Sequence, residues 1–137
     1  MKYILPLALL FVAFSCKKND TEPESAHEPV AGLQTITSLS QIENEIASGV
    51  SMVFFHASWC SSCQAQRPAV SEVAMDGDLS SVFFGEVEYD DHMDINNHYG
   101  VQGFPTIIIF KEGAEVDRLT SGGHSASFIK QSIQAHL

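Results

Sequence analysis

The sequence predicts an α/β domain in the order βαβαβαββα, with a parallel-rich sheet closed by an antiparallel hairpin. Three observations predict it. Short apolar runs of strand length alternate with segments whose apolar residues recur at helical spacing. Glycines and short polar clusters punctuate the alternation. Two cysteines, Cys60 and Cys63, follow directly on the apolar run Met52-Val53-Phe54-Phe55 and open a helix.

Leu33 to Thr37 is a short strand. Ser38-Leu39-Ser40-Gln41 supplies a capping box for a helix whose Leu39, Ile42 and Ile46 share one face, with Gly49 as the stop. Val50 to Phe55 is nearly all apolar, the pattern of a strand covered on both faces. The helix that Cys60 opens runs to about Met75, before the turn Asp76-Gly77-Asp78. Val82 to Tyr89 is a third strand, Asp91 to Tyr99 a short helix closed by Gly100, and Thr106 to Phe110 a strongly apolar fourth strand. A turn at Glu112-Gly113 leads into a strand from Glu115 to Leu119. After Gly122-Gly123, Ser125 caps a last helix with Ile129, Ile133 and Leu137 on one face.

Upstream of this domain the chain reads as an export signal and a tether. Lys2 gives a positive start, Tyr3 to Phe14 an apolar stretch too short to span a bilayer, and Ala13-Phe14-Ser15-Cys16 a cleavage region. Residues 1–15 are thus the signal, 16–32 a polar, Pro/Glu-rich tether, and 33–137 the folded domain. The formal charge of −10 over 137 residues repels nucleic acid and anionic bilayers alike, so no nucleic-acid partner is expected. Any hold on a membrane must come from lipid.

The chemistry lies in Trp59-Cys60-Ser61-Ser62-Cys63. A helix N-terminus, with its free N–H groups and dipole, stabilises an anion, so Cys60 there is the nucleophilic thiolate. Cys63, one turn later on the same face, can close a disulfide on Cys60 or resolve a mixed disulfide that Cys60 forms. The hydroxyls of Ser61 and Ser62 can donate to the thiolate, although a small polar helix start has the same look.

These features together resemble the thioredoxin family over essentially the whole folded part. Trp-Cys-x-x-Cys follows a buried strand, Pro68 lies five residues after Cys63, and Gly103-Phe104-Pro105-Thr106 precedes the fourth strand. The resemblance implies a thioredoxin fold, a central mixed sheet with helices on both faces. It implies a helix kinked at Pro68, a cis Pro105 against the dithiol, and Phe104 offering backbone hydrogen bonds to an extended substrate. Trp59 reads as a lid beside Cys60, with packing in the core as the bland alternative. The segment ending at Cys16 resembles a bacterial lipoprotein signal, which makes Cys16 the acylated first residue of the mature chain. Ordinary cleavage after Ser15 is the alternative, with a soluble periplasmic protein as its product.

The chain also departs from the family pattern. Thioredoxins usually carry a buried Asp six residues before the first cysteine, as proton acceptor for the second; here that residue is Phe54. Glu86, where thioredoxins commonly have Lys, is the candidate replacement if it points under the site, against the reading that Glu86 and Glu88 are solvated edge carboxylates. His56, four residues before Cys60, is either a neighbour of the site or a spectator. Ser61-Ser62 matches neither the Gly-Pro of reducing thioredoxins nor the His-containing pairs of strong oxidants, so the direction of exchange stays open.

The expected function is thiol–disulfide exchange on protein substrates in the bacterial cell envelope, on its periplasmic side. Its redox group is the Cys60–Cys63 disulfide, with no organic cofactor and no metal. The expected partners are disulfide or dithiol proteins, a redox protein that recharges the pair, and a membrane held through lipid on Cys16, with the domain itself a monomer. A copper metallochaperone and a non-catalytic peptide-binding module are the alternatives from other classes; one Cys pair falls short of the four ligands of a structural zinc site.

Overall fold

The computed structural model describes residues 28–137; the export signal, Cys16 and most of the tether lie outside them. The elements follow the expected order: β1 (Gln34–Thr35), α1 (Leu39–Ile46), β2 (Val50–His56), α2 (Ser61–Ala74), β3 (Phe83–Glu88), α3 (Met93–His98), β4 (Thr106–Lys111), β5 (Ala114–Thr120) and α4 (Ala126–Gln134). A single 3₁₀ turn, Gly77–Leu79, joins α2 to β3.

The five strands form one mixed sheet in the order β1-β3-β2-β4-β5. The chain β1-β3-β2 is parallel, β4 runs antiparallel to β2, and β5 returns antiparallel along β4. β2 is central, and all seven of its residues are buried. Side chains alternate across a strand, so β2 sends Met52 and Phe54 into one core and Val53 and Phe55 into the other. The first core is covered by α2 and α4 through Val70, Val73, Ile129 and Ile133, the second by α1 and α3 through Ile42, Ile46 and Ile95. This is a thioredoxin fold.

Local chemistry sets the boundaries. Ser38 caps α1 by accepting from the Gln41 N–H, and Ser125 caps α4 by accepting from the Phe128 N–H. Gly100 takes a φ of 62°, a left-handed conformation that ends α3 without a Cβ penalty. Leu137 departs from the expectation for α4: the helix stops at Gln134 and Leu137 is exposed. Upstream, Val30 packs into the α2 side of the sheet although it lies in a stretch whose composition is that of a tether.

Candidate functional site

The site is assembled at the C-terminal end of β2, where a short loop turns the chain into α2. The Cys60 N–H donates to the Ala57 carbonyl at 3.1 Å, closing the loop, and Cys60 becomes the N-cap of α2. Its Sγ accepts from the Cys63 N–H at 3.2 Å, so sulfur takes the place of the usual capping oxygen and points at the free N–H groups of the first turn. This gives the helix-terminus argument for a stabilised thiolate a physical contact. Ser62 Oγ lies 3.3 Å from Cys60 Sγ, close enough to donate to a thiolate there, and 3.4 Å from the Phe104 carbonyl.

Cys60 and Cys63 are joined by a disulfide, with Cα atoms 5.2 Å apart. Cys60 is 7% exposed and Cys63 1%, so an incoming thiolate reaches Cys60 while Cys63 stays shielded. The Phe104–Pro105 peptide is cis, and Gly122 lies against the Pro105 ring: a Cβ there would come within 3.0 Å of Cγ. Gly122 also has a φ of 70°, so both close approach and backbone conformation call for glycine.

Trp59 is 63% exposed and so is no part of the core. Its indole N–H donates to Asp90 at 2.9 Å, and its ring meets Tyr89 and Phe104 edge-on, with centroids 6.5 and 6.1 Å away. Tyr89 and Phe104 themselves lie 4.9 Å apart. Three aromatic rings therefore rim the disulfide on the side of the cis proline. A cleft of about 530 Å³ continues along the same loop, lined by Gly103, Phe104, Thr106, Arg118 and Thr120 among others. Arg118 steadies this region by donating to the Tyr99 and Gly100 carbonyls while pairing with Glu115. The pairing holds the Glu115 carboxyl below its ordinary value and the Arg118 guanidinium above its own.

The reading of Glu86 and Glu88 as solvated edge carboxylates fails: both are buried, and β3 is an inner strand of the sheet, between β1 and β2. Glu86 pairs in register with Phe54 and Glu88 with His56, so all four project to the same sheet face as Cys63. His56 lies between the two carboxylates and stacks on Phe54 at 4.7 Å.

Sequence reasoning missed Gln66, Tyr89 and Asp90. Gln66 had a signal, since it stands in the buried stripe Cys63, Gln66, Val70, Val73 of α2, a polar residue in apolar register. Its amide makes two hydrogen bonds with the His124 backbone, donating to the carbonyl at 2.8 Å and accepting from the N–H at 2.9 Å. Those bonds fasten the Gly122–Gly123 turn beneath the cis proline to the active-site helix. Tyr89 and Asp90 follow a strand in an acidic loop, and nothing local marks them as neighbours of Trp59.

A buried, disulfide-linked cysteine pair on a helix N-terminus, a cis proline beside it and this strand order define a thiol–disulfide oxidoreductase of the thioredoxin fold. The family model for thioredoxin matches residues 34–135, and the chain belongs to that family. It is 35% identical to a thioredoxin of Chlamydia caviae over 95 residues, spanning 69% of this chain and 91% of that one. A thioredoxin of Staphylococcus saprophyticus is 31% identical over 98 residues, spanning 72% and 92%. Among solved structures, thioredoxin from Fasciola hepatica superposes with a TM-score of 0.63 at 30% identity, covering 77% of this chain and 97% of its own. Malassezia sympodialis thioredoxin gives 0.67 at 26%, covering 82% and 98%. Membership implies disulfide-containing protein substrates and a reducing or oxidising partner that returns the pair to its starting state.

Proposed function

We propose that this thioredoxin-family domain works in a bacterial cell envelope, held to a membrane by lipid on Cys16, and exchanges disulfides with envelope proteins through Cys60. The observation that carries this reading is the division of the three cysteines: Cys60 and Cys63 are paired with each other, which leaves Cys16 behind an apolar segment with Ser15 before it. The surface supports lipid over charge as the means of attachment, since the whole chain carries 17 acidic and 7 basic residues.

In the reducing direction the Cys60 thiolate attacks a substrate disulfide laid along Phe104-Pro105. The substrate thiolate leaves, and Cys63 attacks Cys60 to free the second substrate sulfur. Run backwards, the same steps install a disulfide. Trp59 and Phe104 form the apolar wall against which the substrate segment rests, and the reduction potential of the pair sets the direction of flow. A tether of this composition lets the domain search near the membrane at raised effective concentration toward a membrane-bound recharging partner.

The test is to express the full chain in a diderm bacterium and compare it with Cys16→Ala by detergent phase partition and by the mass of the N-terminal peptide. A diacylated peptide in the detergent phase, lost in the variant, is expected. An unmodified wild-type chain cleaved before Cys16 would overturn the anchor. Absence of mixed disulfides with envelope proteins in a Cys63→Ser strain would overturn the assignment of substrate.

A further inference from the structure

The charge around the disulfide is one-sided. Between residues 19 and 110 the sequence holds a single Lys or Arg, Arg67, so the loops after β2 and β3 and the loop of the cis proline carry none. Each of the four basic side chains among the described residues has a partner of its own. Arg67 donates to the Glu28 carbonyl, Lys111 to the His136 carbonyl at 2.7 Å, and Lys130 bridges Asp76 and Asp78 at 2.6 and 2.8 Å. Arg118, in the cleft beyond Phe104, is paired with Glu115 at 2.7 Å, so the pair brings no net charge.

Negative charge lies where positive charge is missing. Asp90 and Asp91, in the loop after β3, and Asp94, in the first turn of α3, are exposed. Asp90 is joined to the rim of the site, since its Oδ2 accepts at 2.9 Å from the indole N–H of Trp59, the residue before Cys60. The rim itself is aromatic and open, with Trp59 63% exposed and set edge-on, at 88° and 90°, to Tyr89 and Phe104. Aromatic faces attract a cation through the ring quadrupole, and carboxylates beside them add to that attraction. An anionic chain meets the opposite field.

We infer that this face selects its substrates by charge: the segment laid against Trp59, Tyr89 and Phe104 carries Lys or Arg beside its reactive cysteine. The inference rests on the exchange reading above and names the class of polypeptide that the site takes. An apolar wall by itself holds any extended chain. The aspartates make the wall discriminate, because a lysine beside the scissile sulfur brings its ammonium to the Trp59 ring and Asp90, while an acidic residue there is repelled. The exchange step is unchanged: the Cys60 thiolate bonds to the nearer substrate sulfur, the substrate S–S bond breaks, and its electron pair leaves on the farther sulfur as thiolate.

The cleft beyond Phe104 does not supply the same selection. Gln102, Thr106 and Thr120 line it with neutral polar groups, and Arg118 there is neutralised by Glu115. Acidic residues elsewhere on the molecule are too far away to do so. Glu72 stands twelve residues after Cys60, about 18 Å along α2. Glu112 follows Lys111, which pairs in register with Val50 at the start of β2, a strand length of about 20 Å from the end that carries the site. Both distances exceed the Debye length of about 10 Å at 0.1 M salt, so these two residues add to net charge without shaping the field at Trp59.

The test is reduction, by the reduced protein at pH 8, of three symmetrical disulfide-linked peptides that are identical except that Lys, Gln or Glu flanks the cysteine. Each rate is divided by the rate at which dithiothreitol reduces the same peptide, which removes the effect of the flanking residue on the sulfur itself. Wild type is expected to prefer the Lys peptide over the Glu peptide by about tenfold at low salt, and to lose that preference at about 1 M salt, where the Debye length is about 3 Å. Asp90→Asn/Asp91→Asn, which keeps an acceptor for the Trp59 indole, should lose most of the preference. Glu72→Gln/Glu112→Gln, which removes the same charge at a distance, should keep it. No preference in wild type, or one that survives in the site variant or falls equally in both variants, would overturn the selection and leave the exchange reading intact. Failure of wild type to reduce any of the three peptides would instead defeat the exchange reading. Should the site variant not fold, the mixed disulfides of Cys63→Ser with the Lys and Gln peptides decide the matter. A difference in the Trp59 indole resonance between the two is expected, and differences confined to the cleft around Arg118 would overturn the proposal.

Discussion

Replacing Gln66 by leucine tests how the cis-proline turn is held to the active-site helix. The side chain is nearly the same size, so the change removes two hydrogen bonds, those of 2.8 and 2.9 Å with His124, without opening a large cavity. A neutral hydrogen bond contributes about 1 kcal/mol net, and a buried backbone group left without a partner costs about 1–3 kcal/mol. The His124 amide and carbonyl are partly buried, which puts the loss at roughly 2–3 kcal/mol. For a domain of this size that corresponds to a Tm lower by about 10 °C. The His124 segment also carries Gly122, which abuts the Pro105 ring, so loosening it frees the substrate-facing loop and should lower exchange as well as stability. Urea unfolding followed by the fluorescence of Trp59 measures the first effect, and dithiothreitol-driven insulin reduction the second. A change under about 0.5 kcal/mol with wild-type turnover would refute the reasoning, because it would mean that the two bonds carry no more than solvent replaces.

Gly122→Ala combines a disfavoured left-handed residue with a Cβ within 3.0 Å of Pro105, and is expected to cost about 1–2 kcal/mol from the backbone alone and to reduce insulin reduction more than Gly123→Ala, whose Cβ meets nothing. Arg118→Leu removes the donors to the Tyr99 and Gly100 carbonyls; amide hydrogen exchange in residues 99–105 should accelerate, while α4 keeps its protection. Acidification acts through Asp76 and Glu115, held below their ordinary values of 3.8 and 4.5 by Lys130 and Arg118. Their folded pKa values lie under the unfolded ones, so their contribution is whole above those values and drains as pH falls through the folded ones. Unfolding midpoints should therefore fall below pH 4.5, and Lys130→Met should flatten the Asp76 share of that slope. Wild-type behaviour in Lys130→Met would show that the contact between α4 and the 3₁₀ turn contributes nothing.

The architecture was legible because each element announces itself locally. β2 is apolar without alternation since it is central and covered on both faces, and α1 and α4 carry serine caps where their amphipathic stripes begin. The Cys60–Cys63 pair was legible through its motif and the place of Cys60 at a helix N-terminus through the strand before it, while the cis proline was legible only through the family resemblance. What could not be read was cross-strand. That Glu86 does not stand on an edge strand depends on β1 lying outside β3, a fact of strand order that the residues of β3 do not encode. His56 and Glu88 meet because two parallel strands share a register, and Trp59 reaches Asp90 because the loops after β2 and β3 end side by side. Val30 was hidden in turn, because its amide is anchored on Glu86, 56 residues away.

The central claim is that Cys60 attacks and Cys63 resolves. It is tested most directly by incubating the reduced Cys63→Ser and Cys60→Ser proteins with a disulfide-bonded peptide and weighing the products. The account predicts a stable mixed disulfide on Cys60 in Cys63→Ser and far slower adduct formation in Cys60→Ser, as the 7% and 1% exposures of the two residues require. Adducts forming equally fast on Cys63, or on neither cysteine, would contradict it.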